Sequence, residues 1–364
     1  MTHTAANRLA GILREPARIG TASLPDWSQI IPEARQAGLL ARLAYLVDAS
    51  TGLAAIEPRP RVHLGSAQLL SGKRERDVRY ELDQLTDLLG ATLGAVVLLK
   101  GAAYLAADLP PARGRTFNDI DILVPSHALA DVEAALGRGG WLTGDIDPYD
   151  ERYYRRWMHQ LPPLTNKATG SVIDVHHTIV PATARISLKA ETLLANAMEI
   201  PGKPGLAILA APDMVLHSAV HLFNEGEYDR GLRDLDDLNL LLRHFGGDSA
   251  FWTALIRRAA ELDLTRPLFY ALRYTIALLG TPVPPDVLSA LPQYGPTGLR
   301  LRLMDALFER ALRSPHANCR DAFTGTALWL LYARAHYLKM PPHLLIPHLT
   351  RKALRRVTHQ PETL

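Results

Sequence analysis

The sequence predicts an α+β fold: a small mixed β-sheet flanked by helices, followed by a mostly helical C-terminal region. Three observations predict it. Apolar residues recur at helical spacing before about residue 95 and again after about residue 185. Short, partly β-branched runs with period-two alternation are confined to the stretch between. Proline and glycine punctuate the joints. The expected divisions are a helical region at 1–94, a sheet-bearing core at 95–182 and a helical domain at 183–364.

Leu39, Leu40, Leu43, Ala44 and Val47 share a helical face, and Pro58 and Pro60 mark an expected break after it. A second helix is expected over 66–90, with Leu82, Leu85, Leu88 and Leu89 as its apolar stripe and Lys73 to Asp77 as a charged turn. Ala95 to Leu99 reads as a buried strand that stops at Lys100-Gly101. A short helix over 102–108 and a loop through Pro110, Pro111 and Gly114 lead to a strand over 118–124, closed by Pro125. Ser126 is a candidate N-cap for a helix over 128–136, and Gly139-Gly140 ends that helix. A hairpin follows, with arms at 159–165 and 171–177 and its turn at 167–170. From 185 onward the pattern is helical.

Of the 364 residues, 48% are apolar and 21% charged, which excludes a disordered chain or a fibrous repeat. Forty basic against 37 acidic residues give a net charge of +3, which does not suggest a coat for long nucleic acid. The one cysteine, Cys319, excludes an internal disulfide and a cysteine-rich zinc site, and it fits a reducing cytoplasm. Met1 to Arg14 has no apolar signal core, and no run reaches the roughly 18 apolar residues of a spanning helix. A cytoplasmic protein without an integral membrane segment is expected. The stretch 328–356, with Lys339, Arg351, Lys352, Arg355 and Arg356, is the one segment suited to peripheral contact with an anionic membrane or RNA; an ordinary solvated terminal helix is the expectation.

The sharpest chemical feature is Asn118-Asp119-Ile120-Asp121-Ile122-Leu123-Val124. Alternate side chains on a strand share a face, so Asp119 and Asp121 point together, about 6–7 Å apart at their Cα atoms. Such a pair needs neutralising, and a divalent metal is its natural partner. Asp174 adds a third carboxylate on the alternating run Val172-Ile173-Asp174-Val175-His176. Three carboxylates on neighbouring strands suit Mg²⁺. Upstream, Gly101 would let backbone amides approach a phosphate, and Lys100 would add a point charge. His176 and His177 face opposite sides of their strand, so one of them at most meets the site. A further polar seam runs along the later helices. His217, His221 and Asn224 share one face, and Arg230, Arg233, Asp234 and Asp237 form a stripe. His217 and His221 lack the glutamate of a zincin helix, so a lining of the cleft or a structural network is the expectation there rather than a metal site.

The runs Leu98-Leu-Lys-Gly101 and Arg115-Thr-Phe-Asn-Asp119-Ile-Asp121-Ile-Leu-Val124 resemble the nucleotidyltransferases of the DNA polymerase β superfamily. The branch they resemble most is the uncharacterised nucleotidyltransferases, related to abortive-infection toxin nucleotidyltransferases, in which lysine–glycine stands where glycine–serine is commoner. Arg115 lies four residues before Asp119, as is typical there. Ile173-Asp174-Val175-His176 is similar to the branch's third-carboxylate strand, and Leu161-Pro-Pro-Leu164 to its hairpin. The motif-rich part covers about 95–180.

The resemblance implies a nucleotidyltransferase core and a reaction. A nucleoside monophosphate would pass from an NTP to an acceptor hydroxyl, with pyrophosphate released and Mg²⁺, two ions, as cofactor. Asp119, Asp121 and Asp174 would be the catalytic and metal-binding residues, with Asp174 either a ligand or the base. Lys100, Gly101 and Arg115 would bind the nucleotide. His176, His217, His221, Arg233 and Asp234 are candidates for the cleft. The acceptor is a small molecule, RNA or protein. The alternatives are a catalytically inactive relative that binds a nucleotide or partner, or a toxin-like modifier of RNA or protein.

Overall fold

The computed structural model describes residues 7–144, 147, 151, 157–186 and 188–345. Among these, helices α1 (Arg8–Arg14), α2 (Leu24–Gln36), α3 (Leu40–Ser50) and α4 (Pro58–Leu93) precede the first strand. Pro58 opens α4 instead of breaking the chain, because a proline at the first helical position forfeits no intrahelical hydrogen bond. The helix therefore starts eight residues before the expected 66. Leu82, Leu85 and Leu89 are buried along it, whereas Lys73, Arg74, Arg76 and Tyr80 face solvent.

Seven strands form one mixed sheet in the order β3-β4-β5-β2-β1-β7-β6. They are β1 (Val96–Leu99), β2 (Ile120–Leu123), β3 (Trp141–Thr143), β4 (Leu164–Asn166), β5 (Val172–His176), β6 (Met198–Ile200) and β7 (Lys203–Ile208). β1 runs antiparallel to β2, with Leu99 opposite Asp121. β2 runs parallel to β5, with Asp121 opposite Asp174. β4 and β5 form the expected hairpin. All four residues of β1 and all four of β2 are buried, as central strands covered on both faces require.

β6 and β7 lie past residue 182, where the sequence reads as helix. β7 pairs parallel with β1, so the sheet runs on beyond the 95–182 stretch. Pro204 and Gly205 at the start of β7 disguise it, since both residues argue against a strand.

Short helices α5 (Lys100–Ala106) and α6 (Leu129–Arg138) follow β1 and β2. A 3₁₀ turn over Ser126–Ala128 precedes α6, and Ser126 does not cap it. α7 (Ala190–Leu194) precedes β6, and after β7 the described chain is helical: α8 (Ala211–Asn224), α9 (Gly231–Phe245), α10 (Ser249–Glu261), α11 (Thr265–Tyr274), α12 (Pro285–Ala290), α13 (Gly298–Ala311) and α14 (Thr324–Lys339). α8 is the hub, packed against α9, α10 and α11. No helix among the described residues is long and apolar enough to cross a membrane.

Candidate functional site

Strand pairing assembles the centre of the site. The parallel register of β2 and β5 sets Asp121 beside Asp174, and His176 follows two residues on, on the same face. Among the described residues, Asp121, Asp174 and His176 form the one group of three metal-ligating side chains whose donor atoms all lie within 4.8 Å of one another. Asp119 precedes β2, and its side chain opens into solvent at the mouth.

Lys100 reaches this group because the chain turns sharply at the end of β1. Its φ of +46° is left-handed, a conformation that costs a lysine about 1–3 kcal/mol. The turn carries its ammonium to 3.1 Å from Asp121 Oδ1. His176 Nε2 lies 2.9 Å from the same oxygen. Burial alone would raise the Asp121 carboxyl, but the Lys100 charge and the His176 hydrogen bond hold it far below the carboxylate range. An ionised carboxylate can only accept, so the His176 Nε2–H donates and Nδ1 carries the lone pair. Burial keeps His176 neutral by lowering its pKa, and Nδ1 is buried with no partner. For Lys100, burial lowers the pKa, but Asp121 and Glu225 outweigh it and hold the ammonium above its ordinary value.

Asp174 is the unsatisfied member. Burial, then the charges of Asp121 and Asp119, push its pKa up to about 7. Its Oδ1 is buried with no hydrogen-bond partner. Desolvation at the cleft, then Asp121, raises Asp119 as well. The Asp121 and Asp174 carboxylates, the latter with an orphaned buried oxygen, fit a hard divalent cation such as Mg²⁺ in chemistry, and Asp119 stands at the mouth beside them.

Gly101 lines the cleft beneath Arg115. A Cβ there would lie 3.0 Å from Arg115 Nε and 3.2 Å from the Phe117 ring, so the glycine makes room for the arginine laid across it. Arg115 pairs with neither Asp119 nor Asp108. It bridges to buried Asp237 of α9, while Asp108 pairs with Arg79 at 2.9 Å and with Lys203 at 3.7 Å. Burial, then Arg233, lowers the Arg115 pKa to about 10, leaving it charged at neutral pH. Asp237 also pairs with Arg42 of α3, whose guanidinium donates to the carbonyls of Pro110 and Pro111. One buried network thus ties the first helical region, the motif loop and α9.

Two clefts open on either side of Asp119 and share Phe117, Asn118 and Asp119. The first, about 280 Å³, is walled by Gly101 and Arg115 and by the helical side: His221, Glu225, Arg230, Arg233 and Asp234. Arg233 pairs with Asp234 at 2.6 Å, and Arg233 together with His221 and Arg115 holds Asp234 ionised against the cost of burial. The second cleft, about 300 Å³, lies between α4 and the β4–β5 turn.

Of the residues singled out on α8, His221 lines the first cleft and pairs with Glu225 at 2.8 Å. His217 is buried beneath it. Burial, then Lys100 and His176, keep His217 neutral by lowering its pKa well below the ordinary value. Sequence reasoning missed Glu225, His159 and Gln160. Burial alone would raise Glu225, but His221, Lys100 and Lys339 hold it well below its ordinary range. His159 stacks on His176 with ring centres 5.2 Å apart and stands 4.0 Å from Glu225. Gln160 hydrogen-bonds Asp174. Glu225 was findable, since it lies four residues after His221, one helical turn away. His159 and Gln160 join through a bridge between Gln160 and His176, which composition does not announce. Lys339 donates to the Glu225 carbonyl at 3.0 Å and so serves the fold. Arg351, Lys352, Arg355 and Arg356 lie outside the described residues.

A family model described as an uncharacterised nucleotidyltransferase matches residues 23–280. No curated protein and no solved structure matches the chain.

Proposed function

The chain belongs to the uncharacterised nucleotidyltransferase family, and from that premise we propose that it transfers a nucleoside monophosphate from an NTP to an acceptor hydroxyl, with Mg²⁺, and releases pyrophosphate. The observation that carries this reading is the pairing of Asp121 with Asp174 across parallel strands, with the orphaned Asp174 oxygen facing a lysine-held partner. Asp119, Asp121 and Asp174 are the residues that would hold the metal. When bound, the cation supplies Lewis-acid polarisation of the α-phosphoryl group and neutralises the charge of the leaving pyrophosphate.

The chain's own groups do the rest. Lys100, held 3.1 Å from Asp121, stands beside the carboxylates as a positive charge for the phosphate oxygens. Arg115, pinned by Asp237, and Arg233, pinned by Asp234, present guanidinium groups to the first cleft, where the triphosphate lies. Asp174 takes the proton of the acceptor hydroxyl as that oxygen bonds to the α-phosphorus and the bond to the β-phosphate oxygen breaks. His176 fixes Asp121 by its Nε2–H and is a positioning residue.

A second reading has one observation in its favour. Lys100 already neutralises Asp121, so a relative that only binds nucleotide needs no metal at this carboxylate. The test is label transfer. Each NTP, labelled at the α-phosphate, is incubated with Mg²⁺ and with extracted cellular RNA, protein or small molecules as acceptor. Metal-dependent label transfer that Asp121→Asn abolishes supports the enzyme. No transfer from any of the four NTPs, or transfer that survives Asp121→Asn, refutes it.

A further inference from the structure

The second cleft beside Asp119 has no part in the reading above, which places the donor in the first. Its walls are held firmly. The Ser171 hydroxyl donates to buried Glu81 of α4 at 2.8 Å, and the Ser71 hydroxyl donates to the Arg115 carbonyl at 3.0 Å. The β4–β5 turn and the motif loop are thus both tied to α4. Val172 lines this cleft, and Asp174 follows it on the same face of β5. A molecule lying here therefore approaches the site from the side of Asp174, opposite the arginines of the first cleft.

The charges of the two clefts differ in kind. In the first, Arg115 and Arg233 are each matched by an aspartate, half-buried Arg230 lies in the field of Asp234, Asp119 and Asp229, and Glu225 and Glu227 add further negative charge. Such a lining suits a phosphate chain that brings its own cation. In the second, Lys73 pairs with Asp77 at 2.7 Å and Glu81 is engaged by Ser171, which leaves Arg74 and Arg76 at the rim. Both are exposed, and neither has an ion pair among the described residues. Tyr80, one helical turn beyond Arg76, presents its ring to solvent at 56% exposure. Unmatched guanidinium groups recognise bare phosphate, and an exposed ring beside them offers a stacking face for a base.

We propose that the cleft between α4 and the β4–β5 turn is the acceptor subsite, and that the acceptor carries a phosphate group, held by Arg74 and Arg76, near the hydroxyl that reacts. The proposal rests on the nucleotidyl-transfer reading for the word acceptor, but its test reads binding alone. Two probes separate the sources of such a phosphate: ribose 5-phosphate for a phosphorylated small molecule, and a tetraribonucleotide for a nucleic-acid end. Each is titrated calorimetrically into the full-length protein without NTP. The proteins compared are wild type, the double variant Arg74→Gln/Arg76→Gln, Tyr80→Ala and, as a control in the other cleft, Arg233→Gln. Thermal unfolding confirms that each is folded.

The double variant should bind the preferred probe at least tenfold more weakly, and Arg233→Gln should bind it as wild type does. If the tetraribonucleotide is preferred, the slope of log affinity against log salt should fall by about 1 in the double variant, as expected for one to two lost phosphate contacts. Tyr80→Ala should then weaken the tetraribonucleotide and spare ribose 5-phosphate. Binding of neither probe, equal binding by the double variant, or a loss confined to Arg233→Gln overturns the proposal. Metal-dependent label transfer that persists in the face of those results leaves nucleotidyl transfer standing and removes only this subsite. Weakened NTP binding in Arg74→Gln/Arg76→Gln, with probe binding intact, would instead mean that the cleft holds the donor, and it too overturns the assignment.

Discussion

Asp174→Asn should stabilise the metal-free protein, and the gain should grow with pH. Asp174 sits opposite Asp121 in the β2–β5 register, with Asp119 at the mouth and one buried oxygen unpartnered. Burial and the two neighbouring charges raise its pKa from the ordinary 3.8 to about 7. Below pH 3.8 the group is protonated in both folded and unfolded chains and has no effect on stability. Between that value and about 7 the folded chain keeps a proton that the unfolded chain has lost, so stability falls as pH rises, and it levels off above 7. At about 1.4 kcal/mol per pH unit the full fall is about 4 kcal/mol, reduced to about 2–4 kcal/mol by solvent at the open edge of the carboxyl. Asparagine does not titrate and removes this loss. Urea unfolding with a chelator, at pH 5 and pH 8, should show the variant ahead by about 2–4 kcal/mol at pH 8 and by about half that or less at pH 5. A variant less stable than wild type at pH 8, or a gain equal at both pH values, would refute the reasoning. Excess Mg²⁺ should close the gap by stabilising wild type alone.

Lys100→Met leaves the buried Asp121 carboxylate with His176 as its remaining partner, which should cost the metal-free protein about 3–5 kcal/mol. The Mg²⁺-dependent rise in its unfolding midpoint should exceed that of wild type. Asp237→Asn strips the partner from buried Arg115 and should cost a similar amount in urea unfolding, with NTP affinity reduced even where the fold survives. Gly114 has φ +69°, and a Cβ there would fall 2.7 Å from the backbone of Arg42. Gly114→Ala should therefore destabilise by about 3 kcal/mol or more, since neither backbone can give way; a loss under about 1 kcal/mol would contradict that packing.

The parts of this architecture that were legible in the sequence are those governed by local pattern. Period-two alternation placed β1, β2 and β5, and with them Asp121 and Asp174; Asp119 falls just before β2. The turn at 167–170, closed by Gly170, placed the hairpin. What local pattern cannot carry is register. That Asp121 stands opposite Asp174, rather than one residue away, depends on how β2 and β5 slide past each other. The partner of Arg115 escapes local pattern for the same reason, since Asp237 arrives on α9 from more than a hundred residues away. β7 was hidden because Pro204 and Gly205 read as turn residues, although pairing with buried β1 overrides their local preference. The histidine layer behind Asp121 has no sequence signature, since His159, Glu225 and His221 meet only when the hairpin and α8 pack together.

The central claim is that the carboxylates on β2 and β5, together with a divalent cation, hold an NTP. Its most direct measurement is thermal unfolding of wild type and Asp121→Asn with each of the four NTPs, with and without Mg²⁺. A ligand at 100 times its Kd adds about 2.7 kcal/mol to the folded state, a readily measured rise in midpoint. The account expects at least one NTP to raise the wild-type midpoint when Mg²⁺ is present, with the rise lost in Asp121→Asn. No rise with any NTP, or a rise of equal size without Mg²⁺ or in the variant, would contradict it.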